Sequence, residues 1–237
     1  MSNNVFNSLI TKITFLPTIV SKLICSINPV AYHNYEKFIA IYKVHYLTLF
    51  DGVEGDYLEF GVYKGSSFIH SINSFKKNKK ILSSRIERSF YGFDSFEGFG
   101  NIKEIDNHPF YRDLNFVTDF KKIEKRINKS SKNINSKVIK GFFNKTLSVT
   151  PSKYGIKKAA IIFSDADVYS ASKDIFNFIN EITDIGTYFV LDDFFSFKGS
   201  LNKGSYKAFQ EFLKKKGISV RKVFDYGMGG SVYVRSK

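Results

Sequence analysis

The stretch that most constrains the fold is Asp56–Phe68, with the sequence DYLEFGVYKGSSF. It begins with a short apolar segment, continues through a turn that contains Gly61 and Gly65, and passes into small residues that open a helix. Glycine allows a sharp turn and a close approach of the backbone to a ligand, and the N-terminus of the following helix offers unpaired N–H groups. A strand, a glycine turn and a helix in this order predict a nucleotide-like cofactor above the carboxyl end of a first parallel strand.

Further apolar segments read as strands and alternate with helical patterns, which predicts an α/β fold. The later strands are expected at residues 89–94, 137–140, 159–163, 187–191, 219–224 and 231–234, with the last two forming an antiparallel hairpin at the sheet edge. Helices are expected at residues 33–50, 68–75, 119–128 and 205–216, and another runs from about residue 168 through Asn180 to an end near Gly186.

The domain organisation is predicted to be simple: residues 1–50 form an N-terminal helical arm and residues 51–237 form one α/β domain. The mildly hydrophobic Val5–Ile27 is interpreted as a segment that packs on the domain or on a second subunit, and the alternative is an interfacial membrane helix. Residues 100–118 lack periodicity and are expected to be a loop over the site, with the role of a lid.

The formal net charge is +14, but the lysines are scattered along the chain. The densest run, Lys76–Lys80, is assigned to a short connecting loop, and a solvated lysine-rich surface is preferred to a functional basic patch. No nucleic-acid motif accompanies the charge, so we expect no nucleic-acid partner. Cys25 is the single cysteine, which excludes an intrachain disulfide and fits a cytoplasmic location. The sequence contains no run of 18 uncharged apolar residues, so no transmembrane segment is predicted.

Acidic residues follow three of the predicted strands. Asp94 ends the second strand, where a doubly wound fold holds ribose hydroxyls; the alternative is that it caps a helix. The stretches SDAD (residues 164–167) and LDD (residues 191–193) follow two central strands and bring up to four carboxylates to the same end of the sheet. Crowded carboxylates need compensation, and oxygen ligands favour Mg²⁺, Ca²⁺ or Mn²⁺. The alternative is that these acids cap helices and pair with lysines.

Five segments together resemble one known family: GDYLEFGVYKGSS, YGFDSFEGF, VIKGFFNKTL, SDADVYSASKDIF and GTYFVLDDF. They are similar to the macrocin O-methyltransferase (TylF/MycF-type) family of sugar O-methyltransferases, over roughly Gly55 to Tyr206. The resemblance implies a Rossmann-like class I methyltransferase fold, with a mostly parallel seven-stranded sheet and helices on both faces. It also implies S-adenosylmethionine and Mg²⁺ as cofactors.

The resemblance also implies the site residues. The expected metal ligands are Asp165, Asp192 and Asp193. The cofactor contacts that it implies are Glu59, Gly61 and Asp94, with the backbone near Ser66. Ser95 and Gly141, which follow the second and third strands, are expected to contact the cofactor as well.

The reaction implied is methyl transfer to a hydroxyl of a sugar or of a glycosylated biosynthetic intermediate. The expected proton acceptor is Asp165 or His108, the latter in the lid segment. One alternative is a metal-dependent O-methyltransferase that acts on a catechol-like phenol or another non-sugar hydroxyl. Another is a non-catalytic cofactor-binding partner in a biosynthetic complex, and a nucleic-acid methyltransferase ranks third. We expect a small-molecule or carbohydrate acceptor and a homo-oligomer.

Overall fold

A single seven-stranded sheet organises the chain in the computed structural model, which describes residues 22–112 and 116–237. The strand order is β3-β2-β1-β4-β5-β7-β6; β1 to β5 are parallel, and β7 is antiparallel to both β5 and β6. The predicted, mostly parallel sheet with a C-terminal hairpin is confirmed. The strands are β1 (Asp56–Phe60), β2 (Phe90–Asp94), β3 (Ser136–Lys140), β4 (Ala159–Ser164), β5 (Thr183–Leu191), β6 (Val220–Tyr226) and β7 (Gly230–Arg235).

Helices connect the strands and cover the sheet. They are α1 (Pro29–Phe50), α2 (Ser66–Ile81), α3 (Phe120–Ser130), α4 (Phe143–Thr146), α5 (Tyr169–Phe178) and α6 (Gly204–Lys216). Short 3₁₀ turns occur at Glu104–Asp106, Pro151–Tyr154, Ile179–Glu181 and Phe197–Gly199. None of the helices within residues 22–112 and 116–237 combines the length and the apolar character that crossing a bilayer requires.

Helix α1 begins earlier than its apolar periodicity predicts. The Asn28 side chain accepts a hydrogen bond from the Val30 N–H, and Pro29 occupies the first turn, where its missing N–H has no consequence. The helix therefore starts at Pro29 rather than at His33. Residues 22–26 are also helical. The remainder of the predicted arm, up to residue 21, lies outside the described residues.

The core has two layers because side chains alternate along each strand. On one face, Leu58 and Phe60 pack in a buried cluster with α5 and α6, and on the other, Tyr57 packs with α1 and α2. Strand β4 is buried at all six positions, as expected of a central parallel strand that is covered on both faces.

Two local assignments from the sequence were wrong. Lys76–Lys80 is not a loop but the last part of α2, because lysine is a good helix former and stabilises the C-terminal end of the helix dipole. The helix after β4 ends at Phe178 rather than near Gly186, which lies inside β5. Gly186 has a φ of +89°, and the β4–β5 register shifts between Ala159 and Ile161, so the strand continues through an irregularity.

Gly61 fixes how closely the ends of β1 and β4 approach each other. Its φ is +96°, and a Cβ at this position would lie 1.9 Å from the backbone oxygen of Asp165. The Asp165 N–H also donates to the Phe60 carbonyl at 2.8 Å. The glycine is therefore required for strand packing, which places Asp165, the first acid of SDAD, directly beside the β1–α2 turn.

Substitution Gly61→Ala is predicted to destabilise the protein by more than about 3 kcal/mol, since a backbone atom blocks the new methyl group. Gly199→Ala is the matched control, because Gly199 also has a positive φ (+67°) but has no atom within 4 Å of the place that the methyl group would take. That change should cost only about 1 kcal/mol. Urea unfolding measures both, and equal losses would contradict the close approach.

Candidate active site

A cavity of about 750 Å³ opens at the carboxyl ends of the parallel strands. It extends from the β1–α2 turn at Gly61 and Tyr63, past Asp94 at the end of β2, to the acidic stretches after β4 and β5. Its volume lies in the range of small-molecule and cofactor sites, and its position is that of ligand sites in open α/β sheets.

Asp94 shapes the cofactor end of this cavity. One carboxylate oxygen accepts the N–H groups of Val62 and Tyr63, each at 2.7 Å, and the other accepts the Phe96 N–H at 2.6 Å. Tyr63 and Phe96 both have positive φ, so these bonds hold a strained backbone in place. Burial raises the pKa of Asp94, although the three N–H groups act in the opposite direction. Asp94 therefore braces the turn while it lines the cavity.

The other predicted cofactor residues divide into those that line the cavity and those that do not. Gly61 and Ser95 line the cavity. Gly141 is not among the described lining residues, but its N–H donates to the Asp94 carbonyl at 2.9 Å, and the adjacent Phe142 and Phe143 do line the cavity. Two aromatic rings therefore lie at that end of the cavity.

Glu59 and Ser66 are not among the described lining residues either. Ser66 is exposed at the start of α2. Glu59 is fully buried and accepts hydrogen bonds from the hydroxyls of Tyr57 at 2.5 Å and Ser67 at 2.6 Å. Burial raises the pKa of Glu59 to about 8. In this structure Glu59 supports the turn from behind rather than facing the cavity.

Three carboxylates converge at the other end of the cavity. Oxygens of Asp165, Asp167 and Asp193 lie within 4.8 Å of one another, and this is the group in the described part of the chain that is spaced to share a metal ion. Asp167 and Asp193 have φ values of +56° and +47°, and such strained backbone concentrates at functional sites. Burial raises the pKa values of Asp165 and Asp167; the neighbouring Asp192 raises that of Asp165 further, and the neighbouring Asp193 that of Asp167.

Asp192, also expected as a metal ligand, is paired in this structure with two side chains of α1. Lys37 Nζ lies 2.5 Å from Asp192 Oδ2 and 2.9 Å from Asp165 Oδ2. His33 Nε2 lies 3.2 Å and 3.3 Å from the two Asp192 oxygens. Burial alone would raise the pKa of Asp192, but Lys37 and His33 hold it below the usual range.

Helix α1 also binds the β6–β7 turn at the rim of the cavity. The Met228 N–H donates to His33 Nδ1 at 3.1 Å, which leaves Nε2 as the protonated nitrogen that faces Asp192. The Gly227 N–H donates to Glu36 Oε2 at 2.6 Å. One face of α1 therefore joins the acidic end of the cavity to the C-terminal hairpin.

The predicted lid segment covers part of the cavity, and its described residues are anchored on both sides. The Asp106 carboxylate accepts the Ser170 N–H at 3.2 Å, and the Tyr111 and Ser196 hydroxyls lie 2.8 Å apart. His108 stacks on Tyr111, with ring centroids 4.4 Å apart. It is not among the described residues lining the cavity that contains the acids, so the geometry does not favour its predicted role as the base.

Neither Lys37 nor His33 was selected as a site residue from the sequence. Both face one site because they are four residues apart on α1, a spacing that places side chains on the same helix face. This spacing was available in the sequence, but the packing direction of α1 was not. Asp167 was counted among the acids of SDAD, although it was not chosen as a ligand.

Comparison with known proteins identifies relatives of this chain. The family described as Macrocin-O-methyltransferase (TylF) matches residues 41–223, which is most of the chain. Mycinamicin III 3''-O-methyltransferase of Micromonospora griseorubida is 25% identical over 157 residues. The matched segment is 62% of this chain and 58% of that relative, so the chain spans less than two thirds of the relative's length.

Solved structures confirm the Rossmann-like methyltransferase fold. The O-methyltransferase NovP superposes with a TM-score of 0.69 at 18% identity, over 85% of this chain and 80% of that one. CalS11, a calicheamicin methyltransferase, superposes with a TM-score of 0.66 at 16% identity, over 96% of this chain and 89% of that one.

Glu59 provides a pH test of the buried turn. Because its pKa is raised from 4.5 to about 8 on folding, the folded state binds a proton more tightly, and stability falls as pH rises through that window. Glu59→Gln removes this dependence. The free energy of unfolding of the variant, relative to that of wild type, should therefore increase by on the order of 3 kcal/mol between about pH 4.5 and about pH 8.5. Urea unfolding at both pH values measures the difference. The exposed Glu181→Gln variant is the control, and parallel wild-type and Glu59→Gln profiles would refute the prediction.

Proposed function

The chain belongs to the macrocin O-methyltransferase (TylF) family, and from this premise we propose that it transfers a methyl group from S-adenosylmethionine to a hydroxyl of a sugar or glycosylated intermediate, with Mg²⁺ as the metal. The observation that carries the proposal is the continuity of one cavity, which joins the glycine turn at Gly61 and Asp94 to the carboxylates of Asp165, Asp167 and Asp193. Methyl transfer needs a donor and an acceptor held in line at short distance, and a continuous cavity suits that need.

The cofactor end fits a nucleoside. Asp94 keeps acceptor capacity beyond its three N–H partners, since a carboxylate offers about four lone-pair positions. Phe142 and Phe143 provide apolar surface for a base. In this proposal Asp94 binds the ribose hydroxyls, and Gly61 and Ser95 line the same end of the cavity. Glu59, Ser66 and Gly141 support the backbone that surrounds the cofactor.

The acidic end fits a divalent cation. Three crowded carboxylates, of which Asp165 and Asp167 have raised pKa values, are stabilised by a positive charge, and an all-oxygen donor set suits Mg²⁺. We assign Asp165, Asp167 and Asp193 as its ligands, with Asp192 held by Lys37 and His33. When bound, S-adenosylmethionine supplies an electrophilic methyl group, and Mg²⁺ supplies a Lewis acid that orients a hydroxyl and lowers its pKa.

The chain's own residues contribute positioning, water exclusion and a proton acceptor. Phe110 and Phe116 of the lid segment, with Phe99 just ahead of it, cover the cavity with apolar surface and limit the access of water. Of the two predicted bases, Asp165 lines the cavity and His108 is not among the described lining residues. We therefore retain Asp165 as the candidate that accepts the acceptor's proton.

A catechol-like phenol is a second candidate acceptor, because five phenylalanines among the described residues line the cavity and offer faces for a planar ring. They are Phe99, Phe110, Phe116, Phe142 and Phe143.

The remaining expectations stay proposals. A cytoplasmic location suits a chain with one cysteine. Self-association suits the exposed Leu23, Ile24 and Ile27 ahead of α1.

Activity should depend on both the metal and Asp193. We expect methyl transfer from labelled S-adenosylmethionine to a panel of glycosides, sugar nucleotides and catechols, loss of transfer in EDTA, and recovery with Mg²⁺. Asp193→Asn should lower kcat/KM more than about 100-fold, because asparagine tolerates the positive φ but lacks the charge. Binding of S-adenosylhomocysteine should persist in this variant, as measured by calorimetry.

The control for that experiment is Asp184→Asn, which changes an exposed aspartate paired with Lys158 and should leave kcat/KM unchanged. Transfer that is unaffected by EDTA would contradict the metal requirement. Transfer to catechols alone would favour the second acceptor class, and absence of cofactor binding would refute the methyltransferase proposal.

A further inference from the structure

A second depression, of about 580 Å³, lies in the lid segment beside the active-site cavity. Ile102 and Lys103 line both spaces, so the two adjoin each other. The lining of the second space, here called the lid depression, includes three basic side chains: Lys103, His108 and Arg112. His108 was predicted as a base from the sequence, and its place in the lid depression gives it a different role.

The positive charge of the lid depression is not neutralised by the described part of the chain. Lys103 and Arg112 form no ion pair with a described carboxylate. Arg112 Nε donates to the Pro109 carbonyl at 3.1 Å, so the two terminal nitrogens of the guanidinium are available to a ligand. Glu104 is the acid among the described lining residues, and it is exposed. The two fixed cations therefore outnumber it.

The ring of His108 is held in one orientation. Its Nδ1 accepts the Phe110 N–H at 3.2 Å, which leaves the proton of the neutral imidazole on Nε2. The ring stacks on that of Tyr111, with centroids 4.4 Å apart, and meets the Phe197 ring edge-on, with centroids 4.9 Å apart. Nε2 is therefore a hydrogen-bond donor whose direction is fixed by packing.

Tyr111 places the lid depression next to the acidic end of the cavity. Its side chain lines the depression, and its hydroxyl lies 2.8 Å from that of Ser196, just after the LDD acids. Burial, and then the charges of Asp193 and Asp167, raises the pKa of the Tyr111 hydroxyl, so these carboxylates lie close to it. A ligand that extends past Tyr111 therefore has one part near the carboxylates and another beside the basic side chains.

The two neighbouring spaces differ in the chemistry that they accept. Guanidinium and ammonium groups bind phosphate oxygens, and arginine does so in a bidentate way. Carboxylates repel a phosphate, so the negatively charged part of an acceptor is favoured in the lid depression over the acidic end. A sugar hydroxyl is neutral and suits the acidic end. Two cations and an imidazole N–H match the charge and the several oxygens of a diphosphate.

We propose that the lid depression is an anion subsite for the acceptor, in which Lys103, His108 and Arg112 bind a diphosphate that is linked to the sugar. This inference rests on the proposed function and narrows its acceptor to a diphosphate-linked sugar, as opposed to a neutral glycoside. A nucleotide and a polyprenyl carrier both supply this group, and the experiment distinguishes them.

Calorimetric titration of the full chain tests the subsite. The probes are inorganic pyrophosphate, uridine diphosphate, thymidine diphosphate and farnesyl diphosphate, all in EDTA so that no cation bridges them to the carboxylates. Wild type should bind the diphosphate group. Lys103→Met with Arg112→Met should bind it at least about tenfold more weakly, because two charged donors are lost. His108→Phe keeps a ring for stacking but lacks the donor, and should weaken binding about fivefold.

The matched control is Lys215→Met with Arg221→Met. It removes the same two charges from exposed positions on α6 and β6 that form no ion pair with a described carboxylate. Its affinity for the diphosphates should equal that of wild type. Equal losses in the two double variants would reflect only the net charge of +14 and would overturn the subsite. Binding of S-adenosylhomocysteine should be the same in all variants.

Steady-state transfer separates a binding role from a structural one. For a sugar nucleotide acceptor, the Lys103→Met and Arg112→Met double variant should raise KM at least about tenfold and change kcat by less than about twofold. Its kcat/KM for a neutral glycoside should be unchanged. A lid that was merely disturbed would instead lower kcat/KM for both acceptors, which would overturn the proposal.

The remaining outcomes identify the carrier and separate this inference from the proposed function. Binding of the nucleotides alone supports a nucleotide-linked acceptor, and binding of farnesyl diphosphate alone supports a polyprenyl-linked one. If wild type binds S-adenosylhomocysteine but no diphosphate, the subsite is overturned and the proposed function stands. If diphosphates bind through these residues but S-adenosylhomocysteine does not bind, the anion subsite stands and the proposed function fails. If neither binds, both fail.

Discussion

The charge balance at the ends of β4 and β5 is the constraint on which the site depends. Asp165 and Asp192 are placed beside each other by parallel strand pairing, which aligns Ser164 with Leu191. A buried carboxylate, Asp192, beside the half-buried Asp165 would oppose folding, and Lys37 compensates both. Because that lysine comes from α1, the helix ahead of the first strand is part of the site and not an accessory to it.

Close backbone packing provides the second condition. Gly61 allows β1 to reach the Asp165 backbone, and Asp94 holds the turn that follows. The strained Asp167 and Asp193 then direct two more carboxylates to the same place. The cofactor end of the cavity lies at the carboxyl ends of β1 and β2 and the acidic end at those of β4 and β5. Because β1 and β4 are neighbours in the sheet, one cavity serves a cofactor and an acidic centre.

Much of this arrangement could be predicted from the sequence, because it follows from local patterns. Apolar runs that end in Asp94, SDAD and LDD define strands and bring acids to one sheet edge. The partnership of Lys37 with those acids could not be predicted, because a helical period shows which residues share a face but not what the face packs against. The lysine run in α2 was misread for a different reason: charge indicates exposure, and exposure does not distinguish a loop from a helix end.

The most direct measurement is an experimental structure of the protein with S-adenosylhomocysteine and Mn²⁺, whose anomalous signal locates the ion. The account predicts an ion between Asp165, Asp167 and Asp193, a nucleoside near Asp94, and Lys37 still bound to Asp192. An ion ligated by Asp192 with Lys37 displaced, or a cofactor bound away from the Gly61 turn, would contradict it.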